Sequence, residues 1–101
     1  MSVTRVRLSG YRYNYYAYSD GEVRYLHHRR WNTAKKIIGE DGFTYVRLKK
    51  YWRMNDHLLH GLLANHFINF PHKFDSSYCV RHIDGNLRNN AVSYLEFVYK
   101  Y

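Results

Sequence analysis

Tyr78-Cys79-Val80-Arg81-His82-Ile83-Asp84-Gly85-Asn86-Leu87-Arg88-Asn89-Asn90-Ala91-Val92-Ser93-Tyr94-Leu95-Glu96-Phe97-Val98 reads as two β-rich runs around a loop crowded with Asp, Gly and Asn. Those three residue types tolerate left-handed backbone angles, and Asp and Asn also bond back to their own main chain. The stretch therefore predicts a β-hairpin with strands at 78–80 and 94–98. His82 falls where the first strand ends, which holds its imidazole at the mouth of the loop on a rigid support. Cys79 is expected to be buried in that strand. As the single cysteine of the chain it allows no intramolecular disulfide and suits a reducing compartment.

Working outward, the stop Asn69-Phe70-Pro71 ends a helical pattern over residues 56–67. Leu58, Leu59, Leu62, Leu63 and Phe67 form its apolar stripe, and Asn55 or Asp56 is its expected cap. Residues 72–77 read as a polar linker. His57, His60, His66 and His72 invite a zinc site, but no carboxylate lies at ligand spacing and one cysteine adds little. The helical histidines read better as capping or core-edge groups.

Upstream, residues 3–8 alternate as a strand with Arg5 and Arg7 on one side. An aromatic strand from Tyr11 to Tyr18 turns at Ser19-Asp20-Gly21 and returns through residues 22–26 as a hairpin. Most of these tyrosine rings are expected to pack the sheet and offer hydroxyls at its surface, although such rings can also stack on bases. Residues 27–36 form a basic connection without a clean period, expected to touch phosphates. Gly39-Glu40-Asp41-Gly42 is a turn, and residues 43–51 form a strand with Val46 and Leu48 on one side and Tyr45, Arg47, Lys49 and Tyr51 on the other.

Composition bounds the class. A chain of 101 residues, 46% hydrophobic and 19% aromatic, builds one small core, and the fold class is α+β. We read residues 1–101 as a single domain: a basic sheet module over 1–53, then the helix and hairpin over 54–101. Twelve of the sixteen Lys and Arg residues lie in 1–53 with only four acidic residues, so the whole net charge of +8 sits there. The remainder is electrically balanced. A polyanion is the implied partner, and double-stranded DNA fits better than a membrane, because no basic amphipathic helix or lipidation motif occurs. Arg24, Arg29, Arg30, Lys35, Lys36, Arg47, Lys49, Lys50 and Arg53 are the candidate nucleic-acid-binding residues. No signal peptide or membrane-length apolar run is seen, which makes a cytoplasmic protein the expectation.

The loop spacing resembles that of phage-type HNH homing endonucleases. His82 to Asn86, Asn89-Asn90, and Leu95 with Phe97 fall in step with that family's pattern. Residues 16–26, 41–48 and 60–68 look like the opening, a strand and the helix of the NUMOD-like module that precedes HNH in those proteins. The resemblance implies a ββα-metal motif in which a His activates water, an Asn orients it, and a divalent metal sits on the scissile phosphate. His82 matches the base. Arg81 stands where the family carries Asp, a metal ligand, or Asn, and a guanidinium has no lone pair for a cation. Tyr94 replaces the orienting Asn, and the helix that carries the last ligand is not seen after the second strand. Asp84 is a weak metal candidate, with Arg81 competing for it.

The resemblance and these departures together imply a degenerate HNH protein of the bacterial host cytoplasm that binds DNA and competes for a site without cutting, with His82 a vestigial general base and no cofactor. Two alternatives stay open. One is an active, Mg²⁺-dependent nicking endonuclease. The other is an inhibitor or accessory factor that binds a phage or host protein through Tyr and Arg side chains.

Overall fold

A computed structural model describes residues 3–68 and 78–99. Among these residues nine strands form three antiparallel sheets, accompanied by one α-helix and a 3-10 turn at Val92–Tyr94. The first sheet is a meander of β1 (Arg5–Leu8), β2 (Asn14–Tyr18), β3 (Val23–His27) and β4 (Arg30–Thr33). β5 (Lys36–Ile38), β6 (Thr44–Lys50) and β7 (Arg53–Leu58) form the second sheet. The helix α1 (Leu59–Phe67) follows directly, and β8 (Tyr78–His82) with β9 (Leu95–Tyr99) closes the fold as the hairpin the sequence implies. No helix among the described residues is long and apolar enough to cross a membrane.

Alternation drives each sheet onto a common core. Along β6, Thr44, Val46 and Leu48 are buried while Tyr45, Arg47 and Lys49 are not, as the period of two requires. Leu8, Tyr15, Ala17, Val23, Val46, Leu48, Leu59, Leu63 and Leu95 meet in one cluster, so all three sheets and the helix share it. Tyr15 also carries a polar tip. Its hydroxyl accepts the Lys49 N–H at 2.8 Å, and Arg12 N–H donates to the Lys49 carbonyl at 2.8 Å, which ties the two larger sheets together. Most tyrosines of the first hairpin act as packing groups. Tyr13 stacks on Tyr25 at 5.1 Å, and Tyr11 meets Tyr15 edge-on at 5.7 Å.

Several sequence expectations are corrected. The helix begins at Leu59, not at 56, because Arg53 to Leu58 pair with β6 in register Arg47↔Asp56 and Tyr45↔Leu58. Asp56 is therefore no cap. Leu58 is the N-cap and makes no side-chain capping bond, while Asp56 holds Arg47. The basic connection at 27–36 is not one loop. His28 and Arg29, at φ 50° and 61°, form a two-residue turn between β3 and β4, with His27 paired to Arg30. The aromatic strand starts at Asn14, with Tyr11 and Tyr13 before it. Cys79 is exposed rather than buried, because the inward positions of β8 fall to its alternate residues and end on His82. The expected linker at 72–77 and the helix stop at 69–71 lie outside the described residues.

The hairpin is docked onto the first sheet through a tight turn. Val92 N–H donates to the Ser19 carbonyl at 2.8 Å, and Gly21, at φ +96°, lies against the backbone of Asn90 and Ala91. A β-carbon at Gly21 would stand 3.1 Å from the Asn90 carbonyl carbon, in a backbone region L side chains rarely adopt. The turn signature at Ser19-Asp20-Gly21 thus positions the loop that carries the HNH-like residues.

Candidate functional site

The His82 site is enclosed. His82 is the last residue of β8, as expected, but it is only 6% exposed and does not stand at an open loop mouth. Its Nε2 lies 2.9 Å from Asn90 Oδ1, and the Asn90 amide is oriented by a 3.4 Å bond to the Arg88 carbonyl. The ring of His60, from the second position of α1, meets His82 edge-on at 4.7 Å, and Phe43 stacks on His82 at 6.3 Å and lies tilted against His60 at 5.0 Å. Sequence spacing missed this cluster because its members come from β6's approach, α1 and the hairpin. Burial pushes the His60 imidazole down to about 4, a charge on His82 adds to the effect, and Asp41 opposes it. Among the described residues no hydrogen-bond partner reaches His60 Nδ1.

The loop residues are engaged with one another. Asp84 Oδ1 accepts the Asn86 N–H at 3.0 Å, and Oδ2 accepts Asn89 Nδ2 at 2.8 Å, which holds the Asp84 carboxyl below its ordinary range. Ile83 N–H donates to the Tyr94 carbonyl at 2.8 Å and closes the loop. Arg81 does not compete for Asp84. It sits opposite Glu96 across the hairpin and pairs with that carboxylate. Tyr94 occupies the position of the family's orienting Asn and is exposed, while Asn90, expected only to tie backbone, is the residue that contacts His82. Among the described residues no three His, Cys, Asp or Glu side chains converge as a metal site.

The basic candidates separate into distinct groups. Lys36 pairs with Glu22 at 2.6 Å, and Arg47 grips both oxygens of Asp56 at 2.8 and 3.2 Å, which locally neutralises part of the second sheet. Arg29 and Arg30 are exposed at the β3–β4 turn, and Lys35 is exposed beside β5. Lys49, Lys50 and Arg53 gather at the β6–β7 turn. Arg24 belongs to a different surface, the outer face of the first sheet.

That face is a continuous arginine and aromatic layer. Register places Arg7, Tyr16, Arg24 and Thr33 in one row across all four strands, with Arg5 opposite Tyr18 in the next. The Arg5 guanidinium lies 4.6 Å above the Tyr16 ring and 5.4 Å from Trp31, and Arg24 lies 4.5 Å above Tyr18. Arg7 donates to Asn14 Oδ1 at 2.9 Å. None of the three arginines pairs with a carboxylate among the described residues; Arg5 and Arg24 are braced flat by rings, and Arg7 by the Asn14 amide, none of which adds negative charge. Arg5 and Arg7 were absent from the candidate set drawn from sequence. Their alternation in β1 was the available signal, but only the strand order shows that they lie beside Arg24.

No family model matches the chain, and no curated protein matches it. A solved structure does: that of the HNH homing endonuclease I-HmuI, concerned with DNA binding and cleavage, aligns with a TM-score of 0.76 and 28% identity. The alignment covers 99% of this chain and 53% of that one, so the chain spans about half the length of that enzyme. The family resemblance carried by His82 to Asn86 and the upstream segments is thereby matched by the backbone of nearly every residue. The chain has an HNH-type homing-endonuclease fold.

Proposed function

We propose that this chain is an HNH-derived protein of phage type that binds double-stranded DNA in the bacterial host cytoplasm and occupies a site without cutting it. The observation that carries the binding half is the outer face of the first sheet, where Arg5, Arg7 and Arg24 are ordered and have no carboxylate partner among the described residues. Guanidinium groups suit phosphate oxygens and guanine edges, and a twisted antiparallel sheet presents them in rows. Arg29, Arg30 and Lys35 extend the positive surface at its margin. The likeness to a DNA-cleaving homing endonuclease supports the same ligand.

Loss of cutting rests on His82. A general base must reach the water it activates within about 3 Å, and this imidazole is buried between His60, Phe43 and Asn90. The donor set around it does not fit a divalent cation. Arg81 brings positive charge to the position where the family carries a ligand, and both Asp84 oxygens are used by the loop. In our reading no cofactor is assigned and His82 is a packing residue inherited from an enzyme.

Incubation of supercoiled plasmid with the protein and Mg²⁺ or Mn²⁺ should leave it intact, while a labelled duplex is shifted at low salt. His82→Ala protein that still melts cooperatively should bind duplex with the wild-type salt slope. Reproducible nicking lost in His82→Ala would establish the endonuclease reading instead. Absence of any duplex shift would favour the protein-binding inhibitor.

A further inference from the structure

The β6–β7 turn breaks several local rules at once. Tyr51, the first of its two residues, sits at φ 56°, where a side chain with a β-carbon is strained. Trp52 is 86% exposed and Tyr51 61%, with the two rings tilted at 6.0 Å and Met54 exposed beside them. Lys50 and Arg53 face each other directly across the strands, a like-charge pair that weakens the free hairpin. A turn of Asn-Gly flanked by uncharged residues would relieve all of this. Nothing among the described residues compensates, and such local conflict is expected where a surface is shaped for a ligand.

The chemistry of the tip identifies the ligand. A flat indole stands clear of the fold, a phenol lies next to it, and cations occupy both strands immediately behind, with Lys49 one step further back on β6. A shallow pocket lined by Lys50, Tyr51, Trp52, Arg53 and Asn55 runs under the rings. An aromatic face calls for a nucleobase face, and two cations on opposite strands of a ribbon call for phosphates on both sides of the inserted element. We infer that the β6–β7 turn is a wedge, in which Trp52 stacks into a base step of duplex DNA while Lys50 and Arg53 hold the flanking phosphates. The inference rests on the DNA-binding reading, and adds to it a second contact on a different sheet from the arginine face. Tyr51 fixes the ribbon's end, and its strained backbone aims the following residue outward.

The test compares wild type, Trp52→Ala and Trp52→Phe on one labelled duplex, by anisotropy over a salt series and by tryptophan emission during titration. Trp52 is 86% exposed, so all three proteins should melt alike. Trp52→Ala should bind roughly tenfold or more weaker at every salt concentration, because stacking is lost. Its salt slope should be unchanged, since no phosphate contact is removed. Trp52→Phe should recover part of the affinity. Emission should be quenched on binding in wild type by more than in Trp52→Ala, where Trp31 alone reports. If Trp52→Ala binds duplex as tightly as wild type, with the same emission change, the wedge is wrong although DNA binding stands. A loss seen on single strands and not on duplex would also overturn it. If wild type binds no duplex, both this inference and the function it rests on fall.

Discussion

At the scale of single residues, His60 and Gly21 hold the HNH-like loop in place, and each makes a distinct prediction. His60 is neutral in the folded protein because burial depresses it to about 4, against 6.5 for an exposed imidazole. The unfolded chain therefore binds the extra proton first. The stability contributed by keeping this site neutral is fully present above pH 6.5 and is lost as pH falls toward 4, by at most about 3 kcal/mol. The groups that face His60 are His82 and Asp41, and the carboxylates with lowered values, Asp41, Asp56 and Asp84, titrate below 3.8. Urea midpoints at pH 7, 5.5 and 4.5 should fall in order, and His60→Leu should flatten the series. If the series keeps its slope in that variant, another histidine is responsible. Gly21→Ala should cost about 2 kcal/mol or more, since it adds left-handed strain to a close approach on the Asn90 backbone. Denaturation within about 0.5 kcal/mol of wild type would show that the turn is free to move.

At the scale of elements, the sequence was informative where local chemistry decides and silent where pairing does. The hairpin at 78–98, the Ser19-Asp20-Gly21 turn, the buried face of β6 and the body of α1 all follow from turn residues and apolar period. β7 does not. Arg53-Met54-Asn55-Asp56-His57-Leu58 has no strand alternation of its own, and its leucine continues the helical stripe, so the period runs back past the true start of α1. Only pairing with β6 makes those residues extended. The same limit applies to the site. His82 was legible as a strand end, yet its burial depends on α1 delivering His60 and on Phe43 closing behind it, contacts across tens of residues. Arg81 was legible as a departure from the family, but its partner Glu96 is set by hairpin register. Cys79 was misjudged because His82, three pairs along and so on the opposite side, claims the inward face of β8.

At the scale of the whole molecule, the net charge of +8 is sorted by the fold into cations that are neutralised and cations that are free. Arg47 and Lys36 spend their charge on Asp56 and Glu22, whereas on one face Arg5 and Arg24 lie over aromatic rings and Arg7 is held by Asn14. Composition implies a polyanion partner, and in our reading the strand order brings Arg5, Arg7 and Arg24 together where it would be met. The central claim is that duplex DNA is bound through that face. It is tested most directly by measuring duplex affinity over a salt series for wild type and for Arg5→Ala combined with Arg24→Ala, with Arg47→Ala in parallel. Each phosphate contact contributes about −0.9 to the slope of log affinity against log salt. The double variant should bind more weakly with a slope flattened by about two units, while Arg47→Ala, whose charge is already answered by Asp56, should change the slope far less. A double variant that binds with the wild-type affinity and slope would contradict the account.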